Sequence, residues 1–519
     1  MISVVIKVAL LVLFFAVTVF VGFYFRKRAS SVGDFVLGGR AVGPWLSAFA
    51  YGASYFSAVV FVGYAGQFGW RFGTAAVWIG LGNAFIGSLM AWLILGRRTR
   101  IMTNHLKSAT MPEFFGSRYQ SVPLKIGAAI IVFIFLIPYT ASLYNGLSRL
   151  FAMAFDIPFE ICILAVGILT AVFVVAGGYF ATAVNDFIQG MVMLGGIVAV
   201  IAVALNQKGG FTAAIDSMAR VGGPEVAPGA YTSFFGPDPI SLLGVVILTS
   251  LGAWGLPQMV ARFYSIKSEK MITKGAVVST VFALVVAGGC YFLGSFGRLF
   301  VTQGYVDANG FDSIVPTIVS GMGEVMIGLI IVMVFAASIS TLSSLVLASA
   351  STLTLDFLKG HVVKKMSDKA QLLIIRVLVV TFIAISSVIA IVQYNGKITF
   401  IAQLMGISWG ALAGSFLAPF LYGLFWKRAT KVAVWCNFIF STALMSVNLL
   451  MTLGVVDKGL FPEILRSPIN AGAFAMLAGL LIVPLVSAIT KAPDKAALDH
   501  CFACYEETVS VKAKQALGD

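Results

Sequence analysis

Within the apolar stretches of this chain, the side chains that could do chemistry are mostly hydroxyls. In Ala336-Ala337-Ser338-Ile339-Ser340-Thr341-Leu342-Ser343-Ser344, residues 340 and 344 share one helical face and 341 lies beside them. Such a patch either returns its hydroxyls to the carbonyls of its own helix or offers neutral oxygens to a hard alkali cation. That cation prefers oxygen ligands and is cheaper to desolvate than a divalent ion. Two other segments interrupt apolar helices with small residues and proline: Tyr51-Gly52-Ala53-Ser54-Tyr55-Phe56-Ser57-Ala58 and Gly252-Ala253-Trp254-Gly255-Leu256-Pro257-Gln258. Helices broken near a bilayer midplane expose carbonyls to a cation and amides to an anionic group, while glycine and proline also occur in membrane helices simply as packing residues. One carboxylate stands apart from those in loops. Asp186 opens an apolar helix in Ala183-Val184-Asn185-Asp186-Phe187-Ile188-Gln189-Gly190. It reads either as a helix cap facing the cytosol or as a cation-attracting carboxylate at the inner mouth of a pathway.

Enzymatic constellations are scarce. His105, His361 and His500 all fall in expected cytosolic segments, so no intramembrane zinc site is expected. No phosphate-binding loop is recognisable. His500-Cys501-Phe502-Ala503-Cys504 holds a lone CxxC, which reads as part of an inert tail. The expectation is a protein that is not an enzyme and does not bind nucleic acid.

The elements that position these residues follow from composition. Of 519 residues, 59% are hydrophobic and only 11% charged, with a mean hydropathy of +0.98, against about 25% charged in soluble domains. Several apolar runs exceed the roughly 20 residues that cross a bilayer, and long unbroken runs exclude a transmembrane barrel. Thirteen spans are expected, at 3–24, 43–69, 73–96, 124–152, 159–178, 185–206, 239–264, 273–300, 318–356, 370–393, 398–425, 429–453 and 468–490. The ninth is long enough to need an internal bend. The first lacks a basic leader and reads as a retained helix.

Charge segregation supports the count. With the N-terminus outside and the C-terminus cytosolic, 26 of the 35 basic residues fall inside and nine outside, as the positive-inside rule requires. Arg262, at the inner end of the seventh span, then reads as a positive-inside anchor. The run Lys364-Lys365 sits where it would meet anionic lipid.

Taken together, the break at Gly52–Ser57, Gly177-Gly178-Tyr179 with Asn185-Asp186 and Gln189, Leu256-Pro257-Gln258 with Ala261-Arg262-Phe263, and the Ser340–Ser344 hydroxyls resemble the sodium:solute symporter family. The resemblance runs from about residue 10 to 440. It implies an all-α polytopic membrane protein with a leucine-transporter-type core of two five-helix inverted repeats, one extra helix before it and two after. The corresponding division is 1–42 for the first helix and cytosolic loop, 43–206 for repeat one, 207–238 for an external loop, 239–426 for repeat two, 427–490 for two added helices and 491–519 for the cytosolic tail. It also implies a sodium site formed by the carbonyls of Ala53, Phe56 and Ala337 with the hydroxyls of Ser340 and Thr341. In the family's two-sodium arrangement, Asp186, Ser343 and Ser344 join Ser340 in a second site or line the exit path, so stoichiometry stays open.

Tyr139 and Pro257 resemble the family's proline-transporting branch. Tyr55, where that branch has an aspartate, resembles the pantothenate and monocarboxylate branches. Tyr55, Tyr139, Trp254, Pro257 and Gln258 are the expected solute-pocket residues. The implied activity is sodium-coupled import of a small, carboxylate-bearing solute across the cell membrane, with one copy sufficient for transport. An uncoupled channel-like or sensor protein of the same fold, and proton coupling, are the alternatives.

Overall fold

The structure is a computed structural model that describes residues 2–155, 157–222, 226–359, 362–363, 365–396 and 401–505. His361, Lys364 and the tail beyond residue 505 lie outside the described residues. Every regular element among the described residues is helical, apart from two isolated bridges. This is the expected outcome where no water can satisfy an open strand edge.

Among the described residues, ten helices are long and apolar enough to cross a bilayer, and the pair Pro239–Trp254 and Pro257–Ser265, bent by 41°, makes an eleventh span. Two of the ten, Val59–His105 and Phe159–Asn206, run to 47 and 48 residues. At 1.5 Å per residue each would reach about 70 Å, more than twice the hydrocarbon thickness. Each also contains a glycine with backbone angles foreign to a helix: Gly73 at φ 61°, ψ −139°, and Gly178 at φ 57°, ψ −155°. The chain turns there at opposite ends of the molecule. A Cβ on Gly73 would lie 2.1 Å from the Tyr231 carbonyl oxygen, and one on Gly178 would lie 2.9 Å from the Phe35 ring. Dividing both long helices at these glycines gives the thirteen spans expected from charge segregation.

The ninth expected span is corrected in detail. Ile314–Ser320 is a separate short helix, the chain turns at 321–323, and Glu324–Thr352 then runs as one α-helix into a π-helical turn at Leu353–Leu358. A glycine-bearing turn, rather than a bend inside the helix, takes up the excess length.

The two ends of the molecule differ in charge. At one end, Arg40 bonds the Thr103, Ser108 and Tyr264 carbonyls, Arg100 bonds those of Ile266 and Lys267, Arg118 bonds those of Gly423 and Trp426, and Lys427 pairs with Asp499. This basic end gathers the loops that charge segregation placed together. At the other end Arg71 pairs with Asp238, and Arg298 lies over the rings of Trp70 and Tyr231. Lys7, in the first helix, pairs with Glu324.

The helices at the centre are the hydroxyl-bearing Glu324–Thr352 and Ile401–Phe425, whose apolar windows are 83% and 94% buried, against 33% for the first helix. Around them, glycines bring backbones into direct contact. A Cβ at Gly69 would fall 2.0 Å from the Gly294 carbonyl carbon, and one at Gly294 would fall 1.9 Å from the Ala65 carbonyl oxygen. These neighbours are backbone and cannot rotate away. A position six residues from Gly294, Gly288, has open space around its own Cβ direction. Gly294→Ala is therefore expected to lower thermal stability by at least about 1–3 kcal/mol, and Gly288→Ala to leave it unchanged or slightly raised. Thermal unfolding of the purified variants checks the contrast.

Candidate functional site

The first broken helix, Pro44–Tyr55, ends where Phe56 turns extended (φ −110°, ψ 102°). Ser57 restarts the chain: its Oγ accepts from the Val59 amide at 3.2 Å, and its carbonyl accepts from the Val60 and Phe61 amides. A π-helical turn, Val59–Tyr64, follows. The break leaves carbonyls of the preceding turn without amides, and the hydroxyl helix supplies a partner. Thr341 Oγ1 lies 3.2 Å from the Ala53 carbonyl oxygen, 3.5 Å from that of Ser54 and 3.1 Å from that of Ala337 in its own helix. One hydroxyl proton cannot serve three acceptors, so this is an oxygen-rich spot with more lone pairs than protons. Three of the five oxygens expected at the sodium site, those of Ala53, Ala337 and Thr341, meet here. Phe56 is buried at the break. Ser340 points its hydroxyl elsewhere, to Asp186 Oδ1 at 2.6 Å.

One of the two readings of Asp186, and the expectation for Arg262, are corrected. Asp186 is not a helix cap facing water; it lies inside Phe159–Asn206, two turns beyond the Gly178 kink, and is fully buried. Arg262 is not a surface anchor but is 1% exposed. The apolar surroundings make each charge costly alone, and they pair, with Arg262 Nη2 3.2 Å from Asp186 Oδ2. The same nitrogen donates to Ser54 Oγ at 2.6 Å and Ser344 Oγ at 2.5 Å, and these two hydroxyls are 2.9 Å apart. The guanidinium also lies over the Tyr179 ring, 5.0 Å from its centroid. Ser344 thus joins Asp186 through Arg262, while Ser343 donates back to the Ser340 carbonyl at 2.8 Å.

The expected solute residues divide. Tyr55 stacks on Phe56 (centroids 4.4 Å apart) and faces Trp409 at 5.9 Å, while Tyr139 meets the same indole edge-on at 6.0 Å. The Tyr55 hydroxyl donates to the Thr249 carbonyl, tying the first broken helix to the first half of the second. The Tyr139 hydroxyl and the Trp409 indole nitrogen are buried without a partner. Trp254 lies apart from these rings, its indole donating to the Ile86 carbonyl at 2.9 Å. Pro257 begins the second half of the second broken helix, where its missing N–H costs nothing. Next to it, both polar atoms of Gln258 are buried and unpartnered, as are those of Gln189.

Sequence reasoning missed Trp409, whose signal was a single indole between Gly406 and Gly410 in a stretch rich in glycine, alanine and serine. It also missed the pairing of Arg262 and the part played by Ser54.

The basic end is closed over this region. Thr110 Oγ1 donates to Asp356 Oδ2 at 2.5 Å, and Lys125 Nζ lies 3.3 Å from Asp356 Oδ1, which joins the π-helical turn after the hydroxyl helix to the N-cap of the helix Met111–Arg118 and to the helix Val122–Phe155. Burial, and then the neighbouring Arg100, hold the Arg40 guanidinium below its ordinary pKa.

This architecture has known counterparts. The profile of the sodium:solute symporter family matches residues 35–439. The osmoregulated proline transporter OpuE of Bacillus subtilis is 28% identical over 488 residues, covering 93% of this chain and 95% of that protein. The sodium/proline symporter of Staphylococcus aureus is 30% identical over 434 residues, 81% of each. Among solved structures, a Na+-coupled sialic acid symporter in a substrate-bound outward-open state aligns with a TM-score of 0.75 at 18% identity, covering 94% of this chain and 99% of that one; this likeness shows the fold.

Removing one member of the Asp186–Arg262 pair strands the other. Asp186→Asn or Arg262→Gln alone is expected to cost about 3–5 kcal/mol, and the double variant to recover a substantial part of it. Unfolding midpoints of the three proteins in sodium-free buffer provide the check, and equal losses in all three would refute the coupling.

Proposed function

The chain belongs to the sodium:solute symporter family, and from that premise we propose that it imports a small carboxylate-bearing solute with sodium by alternating access. It is a transporter rather than an enzyme, and sodium is the coupling ion. The proposed sodium site comprises the carbonyls of Ala53, Phe56 and Ala337 with the hydroxyl of Thr341 and that of Ser340, which would turn to it from Asp186. The observation that carries the reading is the oxygen cluster at the first break: Thr341 Oγ1 within 3.2 Å of both the Ala53 and Ala337 carbonyl oxygens. A hard monovalent cation suits such a set, and binding there would fix the broken helix against the hydroxyl helix.

The adjoining rings of Tyr55, Trp409 and Tyr139 would enclose the apolar part of the solute. Its carboxylate would face the helix that begins at Pro257, where the helix dipole and the unpartnered Gln258 amide favour an anionic group. Because sodium orders the same helix that borders the solute, each ligand raises the affinity of the other by the same factor. The basic end is assigned to the cytosol by the positive-inside rule. Inward movement of one sodium charge through 100 mV then provides about 2.3 kcal/mol, or about fifty-fold accumulation. The two relatives above are named for proline, which makes proline the first solute to test.

Proteoliposomes given labelled proline, pantothenate, pyruvate, propionate, a hexose or sialate are expected to accumulate one of the carboxylates only under an inward sodium gradient. Ser340→Ala with Thr341→Ala should raise the half-saturating sodium concentration by about tenfold or more, the loss of two hydroxyl ligands at roughly 1 kcal/mol each. Accumulation driven by a proton gradient alone, or an unchanged sodium dependence in the double variant, would sink this site.

A further inference from the structure

The Asp186–Arg262 pair is incompletely satisfied. Nη2 of Arg262 carries two protons and faces three oxygens, those of Ser54, Ser344 and Asp186, at 2.6, 2.5 and 3.2 Å. The other two nitrogens, Nε and Nη1, are buried with no partner, as are both polar atoms of Gln258. Arg262 and Gln258 line one cavity with Tyr179, Thr182, Ser351 and Thr352, between the second broken helix and the basic end of the hydroxyl helix. A buried pair kept only for stability has its remaining protons and lone pairs bonded; this one has three guanidinium protons unused beside empty space. The two halves of the arrangement therefore match different ligands. Nη2 with either Nε or Nη1 makes a carboxylate fork, with the Gln258 amide beside it, once Nη2 leaves the oxygens it now holds. The oxygens of Asp186, Ser54 and Ser344, now crowded on one nitrogen, form a cation cage.

We infer that Arg262 is a carboxylate subsite on the path between the solute pocket and the basic end, engaged when sodium replaces it at Asp186. One buried pair, Asp186 with Arg262, plus an entering sodium and an entering carboxylate become two pairs, Asp186 with sodium and Arg262 with the carboxylate. No charge is left alone at either end of the exchange. Sodium by itself would strand the guanidinium and a carboxylate by itself would strand Asp186, so each ligand enters favourably only with the other. This places a second coupling step on the path, separate from the oxygen cluster at Thr341. It rests on the symport reading above.

The test uses the purified full-length protein and acetate, the smallest carboxylate, as probe. Thermal unfolding is followed while sodium is titrated against choline at constant ionic strength, with and without acetate. In the wild type, acetate should lower the half-saturating sodium concentration by at least about fivefold, the lower end of ordinary coupling between sites. In Arg262→Gln, sodium should still stabilise and acetate should have no effect. Simply additive shifts in the wild type overturn the inference, and so does an acetate effect that survives Arg262→Gln. If that variant does not fold, Arg262→Lys takes its place. It keeps the charge without the fork, and an undiminished acetate effect in it is equally fatal. Sodium-driven uptake is scored separately: its absence counts against symport itself, whereas a transporting protein with additive shifts loses only the exchange.

Discussion

A helix that stops halfway through an apolar slab leaves carbonyl oxygens with no water to bond, and the rest of this site depends on how those oxygens are satisfied. At the first break the answer is unusual. The Ala53 and Ser54 carbonyls are approached not by amides but by one hydroxyl, Thr341 Oγ1, already shared with the Ala337 carbonyl. An amide would have closed the account; a lone hydroxyl leaves an excess of lone pairs. The backbone is thus held well enough to fold and poorly enough to welcome a cation. Placing Thr341 there requires the hydroxyl helix to run directly behind the break, which is why Glu324–Thr352 is among the most buried helices.

The second consequence concerns charge. An oxygen-rich centre in a low-dielectric interior attracts any cation the chain itself can deliver, and Arg262 delivers one to Asp186, Ser54 and Ser344. Ser340 marks the boundary between the two regions. It is adjacent in sequence to Thr341 yet donates to Asp186, so the proposed ion site at the break and the carboxylate beyond it share one turn of one helix. A change at either is felt at the other through that turn rather than through a long relay.

Much of this was legible in the sequence because it is written in local terms. Span positions follow from apolar run length, their alternation from where Lys and Arg fall, and the breaks from Gly52 and Pro257. The hydroxyl cluster announces itself by spacing alone. What escaped was set by contacts between residues far apart in the chain. Arg262 and Asp186 are 76 residues apart, and each alone resembles an ordinary residue at a helix end; only the packing of two spans shows that both are interior. Trp409 escaped for the same reason, since nothing local tells a packing indole from one facing Tyr55 and Tyr139. Similarly, Gly178 gives no sign in sequence that the helices on either side of it join without a loop.

The quality of each contact also separates what stays fixed from what must be remade in the alternating-access motion proposed here. The first broken helix and the span after it meet Ile272–Ser295 through backbone-to-backbone contacts at Gly69, Gly294 and Gly80, where not even a methyl group fits. Such interfaces resist sliding, because any displacement brings backbone atoms into collision. Against the hydroxyl helix, the same broken helix is held by a few hydroxyl contacts at Thr341, Ser344 and Ser54. Hydroxyls rotate and exchange partners at little cost, and a bound ion can add to or replace them. In that motion the first set would move as one rigid body and the second would be its sliding face. Sodium bound at the proposed site would act on that face, at the contact with the least cost to change and next to the proposed pocket.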